Sequence, residues 1–414
     1  MADDKKLKEQ QGLPEGWKWI RLGEVVIENP KSPFKVEDAD NFGEFPFFTS
    51  GDNILRHSYY LVDGENLFIA TGGKAKVNYY HGKASYSADT YSIKAKGLNT
   101  KYFFYTLIKD IEKIDYNFFS GSGLKHLQKD DFKNILLPLP PLPEQRKIAQ
   151  ILETVDNAIE KTEKIIEKYK RIKQGLMQDL LTKGIDEKGN IRSEKTHKFK
   201  DSPLGRIPEE WEVVRLGEVG EIISGSTPST YNSEYWNGEI VWITPEDLSK
   251  TKTLFIENSS RKITQKGLRS CSARIIPAYS VVISSRAPIG YVKVSKVPFT
   301  TSQGCKSIAY NGKFSPEFLA IMLSNKVQDM INLGSGTTFQ EITKSNLKNL
   351  LIPLPPLSEQ KRIAEILSQI DQAIEKEEKY KEKLERLKKG LMEDLLTGKV
   401  RVNKLLEGEN HEMA

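Results

Sequence analysis

Cysteine is scarce in this chain: two residues among 414, Cys271 and Cys305. Two thiols cannot form a disulfide framework, and without a Cys-x-x-Cys pair no zinc site of that kind is expected. The five histidines (His57, His81, His126, His197 and His411) show no metal-ligand spacing. No apolar run approaches the ~20 residues that a membrane-spanning helix needs. Met1-Ala2-Asp3-Asp4-Lys5-Lys6 is charged and lacks the apolar region of a secretory leader. These absences point to a reduced, cytoplasmic protein without a membrane partner.

Catalytic motifs are absent too. Lys74 in Thr71-Gly72-Gly73-Lys74 lacks the spacing of a phosphate-binding P-loop. Phe118-Phe119-Ser120-Gly121-Ser122-Gly123 only approximates the Phe-x-Gly-x-Gly string with which methyltransferases wrap S-adenosylmethionine, and it follows a predicted helix instead of a first strand. No Asn-Pro-Pro-Tyr-like tetrapeptide is there to orient a target amine. Acidic residues two positions before a lysine lie mostly on long helical stretches, where a salt-bridged solvent face accounts for them. No catalytic site, cofactor or metal is expected in the chain itself.

What the chain does contain is bulk and repetition. Its length suggests two or three domains, and 38% hydrophobic with 9% aromatic residues can fill real cores. The net charge of +6, from 62 basic and 56 acidic side chains, permits nucleic-acid binding without requiring it. Leu13-Pro14-Glu15-Gly16-Trp17 through Arg21-Leu22-Gly23-Glu24-Val25 returns as Ile207-Pro208-Glu209-Glu210-Trp211 through Arg215-Leu216-Gly217-Glu218-Val219, an offset of 194 from 13 to 207. Asn134 to Lys161 returns as Asn349 to Lys376, and Gly175-Leu176-Met177 as Gly390-Leu391-Met392, both at an offset of 215. The frames match while the regions inside them diverge and differ by 21 residues, from 194 to 215. Such a pattern suits two inserts that perform one task on different targets.

Each proline-rich segment reads as a helix start: Pro138, Pro140, Pro141 and Pro143 lead the helix off, and Glu144 favours its positive end. Apolar steps of three and four follow at Ile148, Leu152, Val155, Ile159, Ile166, Tyr169, Ile172, Leu176 and Leu180. The second copy has Ile363, Leu367, Ile370, Ile374, Tyr380, Leu384, Leu387, Leu391 and Leu395. Two helices of about 38 residues, each with a bare stripe, are expected to pack on one another, antiparallel if the halves are two-fold related. Thr162 and Glu377 interrupt the stripe at equivalent places; there a polar residue either fixes register or is merely exposed.

The inserts read as mixed domains. Leu67–Ala70 and Tyr86–Ile93 look like strands and Tyr102–Ile114 like a helix. In the second half, 240–243, 281–283 and 291–294 look like strands, followed by a helix from Pro316 to about Leu333. The expected class is therefore α+β: two α+β domains separated by two long antiparallel helices in an internal pseudo-two-fold repeat. The expected boundaries are 1–142 and 207–357 for the domains, 143–183 and 358–397 for the helices, 184–206 for a connector and 398–414 for a tail.

Nucleic-acid binding is the chemistry that the residues permit best. The first insert is rich in aromatics, most of them expected in the core, with Lys74, Lys76 and Lys83 interleaved. A Gly-Ser-Gly turn occurs once per half, at Gly121-Ser122-Gly123 and Gly334-Ser335-Gly336-Thr337-Thr338. Backbone N–H groups and hydroxyls in such turns suit phosphates, with Lys125, His126 or Gln340 near enough to reach bases; a plain tight turn is the competing account. Thr71, Gly72, Lys74 and Lys76 are further candidates in the first half, and Ser226, Thr227, Ser285 and Arg286 in the second.

Two copies of Pro-Leu-Pro-Pro-Leu-x-Glu-Gln-x-x-Ile-Ala-x-Ile-Leu, each opening a long helix, resemble the specificity subunits of type I restriction–modification systems. The Pro-Glu-x-Trp…Arg-Leu-Gly-Glu opening of each half fits as well. So do Gly225-Ser226-Thr227-Pro228, Ser285-Arg286-Ala287-Pro288-Ile289-Gly290 and Thr301-Ser302-Gln303-Gly304. The first half departs from the pattern, with Ala70-Thr71-Gly72-Gly73 where the second has Ser284-Ser285-Arg286-Ala287. The resemblance implies two target-recognition domains, each reading one half of a split asymmetric site in double-stranded DNA. It implies helices that space the domains and dock two methylation subunits, with motor–nuclease subunits added for cleavage. S-adenosylmethionine, ATP and magnesium would then belong to the partners. A coiled-coil scaffold or protein adaptor is the alternative; it explains the helices but not two divergent β-rich domains.

Overall fold

The computed structural model describes residues 12–403, 405 and 406, apart from 41, 287 and 335–339. Contacts divide the chain into two units, Met1–Ile165 with Glu377–Ala414, and Ile166–Lys376. Both dividing points fall inside the two long helices, Leu142–Leu180 and Leu357–Leu396.

In the first unit an antiparallel sheet has the order Val26–Glu28, Thr90–Ala95, Glu65–Ala70, Val77–His81. A smaller sheet joins Leu55–His57, Phe45–Phe48 and Ser85–Tyr86. The single strand expected over Tyr86–Ile93 is thus two strands in different sheets. Ser87–Asp89 turns the chain between them, with the Ser87 amide bonded to the Phe48 carbonyl. Helices Thr100–Lys109 and Ile111–Phe118 follow. Asn99 caps the first of these by accepting from the Tyr102 amide, which satisfies a donor left free at the helix start.

The second unit repeats this plan. Its larger sheet runs Ile222–Ser224, Cys305–Ile308, Val281–Ser284, Val292–Ser295, Phe255–Ile256, with the last strand parallel to its neighbour. Its smaller sheet joins Lys262–Ile263, Trp236–Ile243 and Phe299–Thr301. The helix expected from Pro316 to Leu333 is two, Pro316–Asn325 and Val327–Asn332, broken at Lys326. The extra length lies mainly in two loops: 18 residues separate Ile243 from Lys262 where six separate Phe48 from Leu55, and 17 separate Ile263 from Val281 where seven separate His57 from Glu65. These loops fold into the short helices Pro245–Lys250 and Gln265–Arg269.

The duplicated frame motifs make the same contacts twice. Pro138 lies in a strand, Leu136–Leu139, opposite Trp19 of Lys18–Arg21; an edge position tolerates its missing N–H. Only Pro143 enters the helix, in its first turn. The buried Gln145 accepts from the Asn99 amide (2.8 Å) and donates to the Pro140 carbonyl (2.8 Å), fastening the long helix to the domain helix. Gln360 does the same with the Ser315 amide (2.9 Å) and the Pro355 carbonyl (2.8 Å). The preceding glutamates are buried acceptors. Glu144 takes the Trp17 indole N–H at 3.4 Å and the Arg401 guanidinium. Glu359 takes the Trp211 indole at 3.1 Å and both Arg192 terminal nitrogens. The segment 184–206 therefore supplies a buried arginine, and its end forms a hairpin, Phe199–Ser202 with Gly205–Pro208.

Within the first unit the start of one long helix packs on the end of the other. Ile148, Ala149 and Leu152 share a core with Met392, Leu395, Leu396, Trp17 and Tyr102. Ion pairs Asp156–Lys388 (2.5 Å) and Glu163–Lys381 (2.6 Å) fix an antiparallel register, since seven residues forward on one helix match seven backward on the other. In the second unit Ile363, Ala364 and Leu367 join Leu180, Leu181 and Trp211, and Lys173 pairs with Asp371 at 2.5 Å. Each buried Leu or Ile contributes about 1.5–3 kcal/mol.

Of the stripe residues, Ile148, Leu152, Val155, Ile166, Ile363, Leu367, Ile374 and Leu384 are buried, while Ile159, Tyr169 and Ile370 are half-buried. Leu387 departs from the expectation, being half exposed along with Tyr380 and Ile172. A 3.6-residue helix rotates about 20° per heptad away from a 3.5-residue stripe, which carries part of it out of the pairing face. Thr162 is buried, its hydroxyl bonded to the Ala158 carbonyl, so the first interruption of the stripe is not solvent-facing.

Candidate nucleic-acid interface

In each domain the loop after the central strand of the larger sheet crosses the segment that precedes the return to the long helix. In the first, Gly72 bridges His126, the Gly73 amide donates to the Lys125 carbonyl (3.0 Å), and the Leu127 amide to the Thr71 carbonyl (3.0 Å). In the second, Arg286 bridges Glu341 and the Ile342 amide donates to the Ser285 carbonyl (3.0 Å). Strand registers confirm the equivalence: Ala70 faces Thr90 as Ser284 faces Cys305, one residue before the crossing begins. The fold thus brings together Thr71, Gly72, Lys125 and His126 in one half, and Ser285 and Arg286 in the other. Glu341 belongs with them and was missing from the sequence candidates. Its signal was the frame offset, since 126 plus 215 is 341.

The first crossing is braced by neutral and acidic groups. The Thr71 hydroxyl and the Ser50 hydroxyl both donate to the Asp89 carbonyl (2.5 Å each). Asp115 accepts from the Ala75 amide at 2.6 Å and faces the Lys125 ammonium at 3.5 Å. Lys76 is occupied by the Gly51 and Asp52 carbonyls, whereas Lys74 and His126 are exposed. Gly121, Ser122 and Gly123 form the exposed tip of the hairpin Phe119–Ser120 with His126–Leu127. Gly121 has φ +154°, and a Cβ there would lie 2.5 Å from the Leu124 carbonyl oxygen, so a tight turn and an exposed backbone coexist.

The second crossing is charged. Lys306, in the strand Cys305–Ile308, is buried and donates to Glu341 (3.0 Å) and to the Ser285 hydroxyl (3.1 Å). Arg286 approaches the other carboxylate oxygen at 3.7 Å. Burial raises the thiol of the neighbouring Cys305 to about 12, so it stays protonated and inert. Ser226 lies at the same edge, its amide bonded to the Thr301 carbonyl (2.9 Å) and its carbonyl to the Trp242 indole N–H (3.0 Å). A Cβ on Gly225 would collide with the Thr301 and Ser302 carbonyls. Thr227 is half-buried, and Gln340 is exposed next to the crossing. Gly334 ends the preceding helix, with its amide on the Ile331 carbonyl. Ser335, Gly336, Thr337 and Thr338 lie outside the described residues.

Among the described residues no group of three or more His, Cys, Asp or Glu side chains is arranged to hold a metal. No described helix is long and apolar enough to cross a membrane.

Comparison with known proteins agrees with this architecture. The family described as "Type I restriction modification DNA specificity domain" matches twice, over residues 14–171 and 208–386. The chain is 31% identical over 427 aligned residues to the type I restriction enzyme MjaVIII specificity subunit of Methanocaldococcus jannaschii, covering 97% of each chain. It is 40% identical over 191 residues to the MjaIX specificity subunit of that organism, an alignment spanning 46% of this chain and 44% of the relative. The crystal structure of the type I restriction–modification S subunit from M. genitalium shares the fold, with a TM-score of 0.64 at 15% identity over 94% of this chain and 98% of that one. The chain belongs to the type I restriction–modification DNA specificity family.

Proposed function

We propose that this chain is the DNA-reading subunit of a type I restriction–modification complex. Each α+β domain reads one half of a split, asymmetric site in double-stranded DNA, and the two long helices set the spacing between the halves. Methyl transfer is the work of two methylation subunits docked on the helices. Motor–nuclease subunits join for cleavage, and S-adenosylmethionine, ATP and magnesium are held by those partners. On this reading the protein acts in the cytoplasm.

The observation that carries the reading is one crossed-loop arrangement built twice on matching frames, with different residues at its centre: Gly72 and His126 in one domain, Arg286 and Glu341 in the other. A duplicated scaffold with dissimilar rims suits two different half-sites better than it suits a structural spacer. Docking has a matching feature. Ile165 and Tyr380 are exposed at one offset of 215, and Ile172 and Leu387 at the same offset seven residues on. Two equivalent apolar faces fit two copies of one partner subunit.

The test is to express the chain with its methylation partner and map the methylated positions on genomic DNA. The expected result is a two-part sequence interrupted by a fixed gap, seen only when both proteins are present. Methylation by the chain alone, or an unchanged pattern without it, contradicts the assignment.

A further inference from the structure

The charged crossing in the second domain contains one carboxylate and two cations. Lys306 is fixed: its side chain is 7% exposed, it lies in the strand Cys305–Ile308 inside the larger sheet, and it holds Glu341 and Ser285 at 3.0 and 3.1 Å. Arg286, 37% exposed, shares the same carboxylate from 3.7 Å. Because Lys306 already neutralises Glu341, Arg286 is the surplus cation, and it can turn to a new partner without leaving the carboxylate unpaired. At the rim the cluster therefore offers a fork of N–H donors beside a carboxylate acceptor that is itself 35% exposed.

That order of groups complements one base-pair edge. In the major groove a G·C pair presents the guanine N7 and O6 acceptors beside the cytosine N4 amino donor; an A·T pair presents acceptor, donor, acceptor and then a methyl group. We infer that the half-site read by the second domain contains a G·C pair, with Arg286 on the guanine and Glu341 on the cytosine amino group. Lys306 is the positioning residue that holds Glu341 in place. The inference rests on the DNA-reading function proposed above. It is confined to one half-site, because Gly72, His126 and Tyr91 occupy the equivalent positions of the first domain.

The test uses the full chain in complex with its methylation partner and a library of randomised sites, read by sequencing the methylated products. The unaltered complex is expected to require a G·C pair at one position of one half-site. Arg286→Lys keeps the charge but loses the planar fork. It should lower discrimination at that position by about 5- to 140-fold, equivalent to about 1–3 kcal/mol. The other half-site should be unaffected. Glu341→Gln and Lys306→Met should relax the same position, whereas a purely structural role would lower thermal stability and leave base preference intact. A split site whose G·C positions stay fully selective in Arg286→Lys overturns this inference alone. So does a uniform loss of methylation across all sequences, which would mark Arg286 as a phosphate contact. A wild-type complex that shows no split site overturns the DNA-reading function and this inference with it.

Discussion

Replacing Glu359 with alanine removes the centre of a buried ionic cluster. Its carboxylate accepts from Arg192 Nη1 (2.5 Å) and Nη2 (3.1 Å), from the Trp211 indole (3.1 Å) and from the Ile185 amide (2.8 Å). Removing one partner of a buried pair costs about 3–5 kcal/mol, because the remaining charge is left without compensation. Here Glu210 stays 3.6 Å from Arg192, which argues for the lower end, about 3 kcal/mol. At about 2–4 °C per kcal/mol for a unit of this size, the transition should fall by about 6–12 °C in scanning calorimetry. Glu359→Leu combined with Arg192→Met should recover the share due to the orphaned guanidinium but not that of the indole and amide. Glu144→Ala should cost less, since Arg401 is 26% exposed against 9% for Arg192 and water can replace its partner. A shift below about 2 °C for Glu359→Ala would refute the claim that this buried cluster stabilises the unit.

Asp247 closes the N-terminus of Pro245–Lys250. Burial pushes its carboxyl pKa up, but hydrogen bonds from Ser260 and Thr244 outweigh that and hold it below the ordinary value. The stabilisation is therefore present above about pH 4 and is lost as pH falls through the depressed value. Asp247→Asn should cost about 1–2 kcal/mol at pH 7, and thermal melts should show the gap to wild type narrowing below pH 4. Ile172→Glu combined with Leu387→Glu alters only exposed positions. It should leave the melting temperature within about 2 °C and weaken co-purification of the methylation subunit; undiminished co-purification would place docking elsewhere.

The repeat made the architecture legible because its motif residues form the same contacts twice: indole to glutamate, glutamine to helix cap. Periodicity located both long helices, found at 39 and 40 residues. It could not show that Leu387 leaves the pairing face, since exposure depends on helix rotation as well as on spacing. The run Tyr86–Ile93 read as one strand because no glycine or proline interrupts it. Only tertiary hydrogen bonds reveal the turn there. The charged crossing was half legible: Arg286 stood out in a serine-rich loop, but Glu341 lies 55 residues further along and Lys306 within a buried strand. Their association depends on sheet register. Within the connector 184–206, the burial of Arg192 was not legible, because its partner Glu359 lies 167 residues away.

The proposed function requires each domain to read its own half-site independently of the other. It is tested most directly by replacing residues 207–357 with a second copy of 13–142, a swap that preserves the frame at both ends because the offsets there are 194 and 215. Methylated positions would then be mapped for the chimaera in complex with its methylation partner. Independent reading predicts a split site whose two parts are the same sequence, the one that the first domain reads in the natural chain. A site that retains the natural second half, or that keeps only one specified part, would contradict it.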